Sequence, residues 1–168
     1  MNPAARLTPE RLLAEGELIL PAAPAPSGRY RPARRTGAFL DISGQVPHRD
    51  GVLTRTGRVG EDIHTDEAIA LAQLSCLNAL AVARAENGTL DGVFVHRVRV
   101  FVACTPDYDE QHLVANGASE LLLAVFGDAG EHARTAIGVC ALPLGAPVEV
   151  EITLALDEVS AAEGAAAL

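Results

Sequence analysis

The strongest pattern in the chain lies between Thr65 and Asn87, where Ile69, Leu74, Leu77, Leu80 and Ala81 recur at helical spacing on one face. Thr65 and Asp66 supply an N-cap region, and Asn87-Gly88 supplies the stop. Upstream, loose alternation from Ala38 to Ser43 predicts a strand, residues 48 to 51 read as a hairpin turn, and Val52 to Arg58 reads as a second strand. An edge hairpin follows. Downstream, Val93 to Cys104 is β-branched and apolar enough for a long central strand, although His96, Arg97 and Arg99 make one of its faces wet or paired. A second helix is expected from about Asp109 to Phe126. Asn116-Gly117 lies inside it at a cost of about 1 kcal/mol, which points to either a close packing contact or a functional kink. Two last strands, 134 to 142 and 147 to 155, are joined through Pro143 to Ala146. The order β, β, α, β, α, β, β is an α+β fold with both helices on one face of the sheet, leaving the other face for a partner chain.

Three segments are expected along the chain. Residues 1–27 form an N-terminal lead-in: a short charged helix from Pro9 to Glu15, then Leu18-Ile19-Leu20, then an extended connector rich in proline and alanine. Residues 28–157 form the domain proper. Residues 158–168 form an alanine-rich, frayed tail.

Composition narrows the function more than the fold. A chain of 168 residues, 49% hydrophobic and 21% charged, fits one domain with a real core. No apolar run reaches the ~18 residues of a membrane span, and the first thirty residues carry charges and prolines rather than a signal core, so a cytoplasmic protein is expected. Cys76, Cys104 and Cys140 are far apart in apolar context and read as structural thiols. A formal charge of −9 makes nucleic acid an unlikely partner, and the basic cluster Arg29, Arg31, Arg34, Arg35 reads as a solvated rim. All 13 basic residues are arginine. No metal-ligand spacing, glycine-rich phosphate loop or nucleophile elbow occurs, so no metal is expected.

The candidate chemistry centres on Arg134. It opens an uncharged run, Thr135 to Leu142, which reads as a strand buried on both faces and makes its guanidinium costly to desolvate. Its partner is then either one of the chain's own acids or a bound carboxylate or phosphate that fits the planar donor fork.

Four separated pieces resemble, in order, the RidA family, also called YjgF/YER057c/UK114. They are Gly28 to Ala33 around Tyr30, Ile42 to Pro47 containing Ser43-Gly44-Gln45, Arg134 to Pro143, and Val148 to Ile152 containing Glu149. The resemblance covers about Gly28 to Leu156, and Asn116 to Leu122 together with Arg35 to Gly37 is similar to a less characterised branch. It implies a chorismate-mutase-like α+β fold with a mixed sheet and two helices on one face, and a homotrimer with clefts between subunits. It also implies cofactor-free hydrolysis of reactive enamines and imines such as 2-aminoacrylate, giving a 2-oxo acid and ammonia. Arg134 would clamp the substrate carboxylate, Glu149 would hold or activate the water, and Tyr30, Ser43 and Gly44 would line the cleft. Ala136 stands where the family has a cysteine and can offer only its backbone. The family's helix asparagine has no direct counterpart in the longer second helix, and Asn116 is the candidate. A non-catalytic binder of small acids and an endoribonuclease are the alternatives. A carboxylate beside an arginine is expected to titrate low, which suits a base.

Overall fold

The computed structural model describes residues 8–26 and 28–157. A short helix α1 (Pro9–Ala14) precedes strands β1 (Ala33–Thr36) and β2 (Phe39–Gln45), a small hairpin β3 (His48–Arg49) and β4 (Val52–Leu53), and helix α2 (Thr65–Asn87). Strand β5 (Val93–Ala103) leads to helices α3 (Gln111–Val114) and α4 (Asn116–Phe126), then strands β6 (Ala133–Val139) and β7 (Val148–Leu156). The main sheet has the order β1-β2-β7-β5-β6. All neighbours are antiparallel except β5 and β6, whose helical crossover makes them parallel. The expected tail lies outside the described residues.

Alternation along β5 sets the layers. Val95, Val98, Val100 and Val102 are buried under the helices, while Phe94, His96, Arg97 and Arg99 are exposed on the other face. A register shift between Val95 and Arg97 against β7 explains why two successive residues, His96 and Arg97, both lie exposed. The open face is partly self-paired: Arg99 meets Glu151 at 3.0 Å, and the Thr153 hydroxyl donates to Asp41 at 2.8 Å.

The central helix is real, but its buried stripe differs from the expected one. Ile69, Leu74 and Leu77 are only half-buried, and the innermost positions are small: Ala68, Ala72, Cys76, Ala79 and Ala83. Of the expected face Leu80 and Ala81 are buried, and the small residues beside them let the helix lie close to its neighbours. The N-cap is His64, one residue earlier than expected, and Thr65 instead donates its hydroxyl to Glu110 at 2.6 Å. Gly88, at φ 80°, closes the C-terminus by donating to the Arg84 carbonyl, as anticipated. At 23 residues α2 is the described helix that is long and apolar enough to cross a bilayer, but it is mostly buried inside the fold, as a core helix is.

Two further expectations change. Val52 to Arg58 does not pair with β2; its first residues close the β3–β4 hairpin through Asp50 and Gly51, both at positive φ. β2 pairs instead with β7 and with β1, an Arg-rich segment whose charges hide its strand character. The expected second helix is broken between Val114 and Asn116. Just past the break, a Cβ on Gly117 would collide with the Ile69 carbonyl, so α4 touches α2 backbone to backbone. The close packing contact expected at Asn116-Gly117 is thus present, and the helix breaks beside it.

The lead-in is docked. Glu10 receives Arg84 through Nε and Nη2 at 2.9 to 3.1 Å and accepts the Leu90 amide at 3.0 Å, which hold its carboxyl below the usual range. Leu18 enters the main core. Among the thiols, Cys76 and Cys104 are buried as expected, with burial pushing Cys76 far above the normal thiol range; Cys140 is exposed.

Gly117→Ala is expected to destabilise the fold by ~1–3 kcal/mol, the usual cost of forcing an atom into close packing. Chemical denaturation measures it, and an unchanged midpoint would show that α4 can shift freely away from α2.

Candidate functional site

The candidate residues assemble into two groups, and strand register decides which belongs where. On β5, Val98 faces Arg134 of β6 and Phe101 faces Glu149 of β7, with no register break between those positions in either ladder. Positions three apart on a strand point to opposite faces. Arg134 therefore lies on the helix side and Glu149 on the open side. Their backbones are ~14 Å apart, from two inter-strand steps and three residues of rise. β6 and β7 are not hairpin neighbours, because β5 runs between them.

The first group is a cleft of about 320 Å³ lined by Tyr30, Ser43, Gly44 and Glu149, with Pro24 to Pro26 of the connector and Leu144 at its rim. Local structure shapes its wall. The β2–β7 register breaks between Ile42 and Gln45, which frees Ser43-Gly44 from the ladder. Ser43 is held by its amide to the Pro32 carbonyl at 2.9 Å and its hydroxyl to the Arg31 carbonyl at 3.0 Å. Gln45 donates back to the Ser43 carbonyl, and the buried Asn78 of α2 donates to the carbonyls of Val46 and His48, each at 3.0 Å. Gly44 is required because a Cβ there would occupy the space of the Glu149 carboxylate. Leu144, 65% exposed, holds φ 61°, a costly conformation for a leucine that is concentrated at functional edges.

Glu149 titrates above the usual carboxylate range, first because burial disfavours its charge and then because Glu151 repels it. The expectation of a lowered value fails because Arg134 is on the other face.

The second group surrounds Arg134. Its strand is not buried on both faces: β6 is the sheet edge, most of its residues are exposed, and Ile137 is 44% exposed. Nη1 donates to Asn116 Oδ1 at 2.8 Å and Ser119 Oγ at 3.1 Å, and Nη2 donates to the His112 carbonyl at 3.3 Å. Of the two partners considered for Arg134, no carboxylate of the chain holds it among the described residues; neutral acceptors orient it and leave its charge unneutralised. Asn116 thus stands beside Arg134. Ala136 lies two residues on, opposite Val100, on a strand with an unpaired outer edge. Ser119 and His132 were missed in the sequence. Their signals were spacings, Asn116 to Ser119 at i, i+3 on one helix and His132 two residues before Arg134.

Gly44→Ala is expected to fold normally and to turn the Glu149 carboxylate out of the cleft, because the flexible end of that side chain moves more easily than two strands. A crystal structure of the variant with Glu149 in its original place would refute the role given to Gly44.

Comparison with known proteins identifies the family and the fold. Residues 9–163 match the family model described as "YjgF/chorismate mutase-like, putative endoribonuclease". Protein TCP17 of Trypanosoma cruzi is 42% identical over 140 residues, covering 82% of this chain and 88% of its own. A Shewanella oneidensis structure, whose description carries the same provisional endoribonuclease label, superposes with a TM-score of 0.84 at 33% identity, covering 89% of this chain and 99% of that one. RidA of an Antarctic Psychrobacter is more distant, with a TM-score of 0.56 at 28% identity, covering 80% and 94%. The fold is chorismate-mutase-like, and the chain belongs to the YjgF/RidA family.

Proposed function

We propose that this protein hydrolyses reactive enamines and imines bearing a carboxylate, of the 2-aminoacrylate kind, to 2-oxo acids and ammonia without a cofactor. The observation that carries this reading is the Arg134 guanidinium, oriented by Asn116, Ser119 and the His112 carbonyl with no carboxylate of the described chain against it. Such a cation is a preset clamp for a substrate anion. Once an enamine tautomerises to its imine, water attacks the carbon, so the protein need only orient the anion, place the water and accept a proton. Glu149 suits the last task, because its burial raises its proton affinity toward neutral pH. A cytoplasmic location accords with the free cysteines.

Since Arg134 and Glu149 lie on opposite faces of one sheet, the proposed active site is composite, with Arg134 from one subunit of a homotrimer and Glu149 from the next. The exposed apolar edge of β6 and the aromatic residues Phe39 and Phe94 on the open face support such an assembly. The same clefts suit a non-catalytic binder of small acids; ammonium release separates the two readings. The endoribonuclease label of the relatives finds little support in a net charge of −9.

The direct test generates 2-aminoacrylate in solution and follows ammonium and 2-oxo acid. Wild type is expected to exceed spontaneous hydrolysis, and a rate equal to the blank would overturn the deaminase reading. Arg134→Ala is expected to weaken binding of carboxylated imines by about 2–4 kcal/mol, the range for a lost desolvated charge pair, while Glu149→Gln chiefly lowers turnover. Mixing the two inactive variants is expected to restore part of the activity in verified heterotrimers; no recovery there would refute a composite site.

The titration of Glu149 gives a further expectation. A base must be deprotonated to act, so activity is expected to rise with pH through a midpoint above the ordinary carboxylate range, and Glu149→Gln is expected to remove that rise. A rise with the same midpoint in the Gln variant would assign the base elsewhere.

A further inference from the structure

Beside the clamp lies a second arrangement, which the family resemblance does not supply. Ser119 Oγ is 3.0 Å from His132 Nε2, and His132 Nδ1 is 2.6 Å from the Gly130 carbonyl oxygen. A carbonyl can only accept, so Nδ1 carries its proton whether the ring is neutral or charged. Nε2 is therefore the atom that gains and loses a proton, and it faces Ser119. The Gly130 carbonyl is well fixed. A Cβ on Gly130 would collide with the Leu122 carbonyl, so this turn packs directly on α4, the helix that also carries Asn116 and Ser119.

Hydrogen-bond capacity then defines two states. With neutral His132, the Ser119 hydroxyl donates to Nε2 and accepts from Arg134 Nη1 at 3.1 Å. With His132 protonated, Nε2 and Nη1 both donate to Oγ and fill its lone pairs, so the hydroxyl proton must turn elsewhere. A shallow cavity of about 350 Å³, lined by Ser119, Leu123, Glu131, His132 and Arg134, opens at that point. A carboxylate on Arg134 would place the groups on its α-carbon within reach of the same hydroxyl.

We propose that Ser119 and His132 form a proton relay to the α-substituent of the anion clamped by Arg134; as a step in deamination, this rests on the function proposed above. As water forms its bond to the imine carbon, the C=N π pair moves onto nitrogen, which takes the Ser119 hydroxyl proton. The His132 Nε2 proton moves to Ser119 Oγ in the same step, and Glu149 takes the proton that water loses. This leaves a neutral carbinolamine, a neutral imidazole and a protonated Glu149. On collapse, the Glu149 proton passes to nitrogen, ammonia leaves with the C–N pair, and the carbinolamine hydroxyl proton returns through Ser119 to His132. The balance closes with no co-reactant. The charged groups that share the cavity with the ring are Glu131 and Arg134; Asp128 lies on the preceding turn and Glu120 next to Ser119 in sequence, while Arg97, in register with Ala133, belongs to the open face.

The test uses the full-length protein. Nitrogen-detected histidine NMR is expected to find His132 in the Nδ1–H tautomer, with its Nε2 signal shifted in Ser119→Ala. In turnover of 2-aminoacrylate, Ser119→Ala and His132→Gln are each expected to lose about 10²-fold in kcat, with KM within about threefold, and Ser119→Thr to recover most of it. Wild-type kcat is expected to fall on the alkaline side as His132 loses its proton, and Ser119→Ala to lack that limb. Wild-type kcat and an unaltered pH profile in both variants would overturn the relay. If the wild type releases no ammonium, calorimetry with pyruvate decides. The relay requires pyruvate affinity to weaken as His132 deprotonates and this dependence to vanish in Ser119→Ala; binding lost in Arg134→Ala but pH-independent in the wild type would overturn the relay and leave the clamp standing.

Discussion

Everything functional in this molecule hangs from β5 and from the rule that successive side chains on a strand point to opposite faces. The strand is hydrogen-bonded on both sides, to β6 and to β7, and both ladders run unbroken past Val98 and Phe101. Because those two positions are an odd number of residues apart, Arg134 and Glu149 cannot share a face of one sheet. A one-residue slip of β7 that brought Glu149 to the other face would turn Val148, Val150 and Ile152 out of the core. At ~1.5–3 kcal/mol for each buried aliphatic side chain, three such residues outweigh any single charge pairing the slip could create. The face that Glu149 occupies is thus a property of the core.

The elements were legible in the sequence wherever a period ran long. The central helix, the alternation of β5 and the end strands all carry such periods, and the family motifs placed Tyr30, Ser43, Gly44 and Glu149 around what proves to be one cleft. Burial was less legible. Much of the deepest stripe of α2 is alanine, whose small size favours close approach but gives a weak hydrophobic signal. β1 was hidden because Arg34 and Arg35 mask a short edge strand. The apolar run after Arg134 read as a doubly covered strand because composition reports that a segment will be covered somewhere, without saying whether by its own chain. The Ser119 and His132 pair escaped because each belongs to a different element, and only the packing of the Gly130 turn on α4 joins them.

Close approach to a glycine recurs at both candidate groups, to a backbone carbonyl at Gly117 and to a carboxylate side chain at Gly44. Gly117 lets α4 settle on the Ile69 carbonyl of α2, which fixes the start of the helix that presents Asn116 and Ser119 to Arg134. Gly44 vacates the space taken by the Glu149 carboxylate. Neither position has a positive φ, so the requirement is for room and not for backbone freedom. Helix propensity is sacrificed at Gly117 for the placement of a side chain one residue away.

The two ionisable groups that the fold keeps apart are each left electrostatically incomplete. Arg134 is a full cation whose described partners are neutral acceptors, and Glu149 is a carboxylate whose charge is opposed by burial and by Glu151. Arg134 is exposed, but a half-buried Glu149 with no cation beside it is a feature that a protein needing only stability would avoid. In the proposed trimer an incoming carboxylate supplies the missing anion at Arg134, and the water it brings near Glu149 supplies the proton that this carboxyl readily accepts. Each deficit is relieved by a different part of one substrate, which ties binding to chemistry.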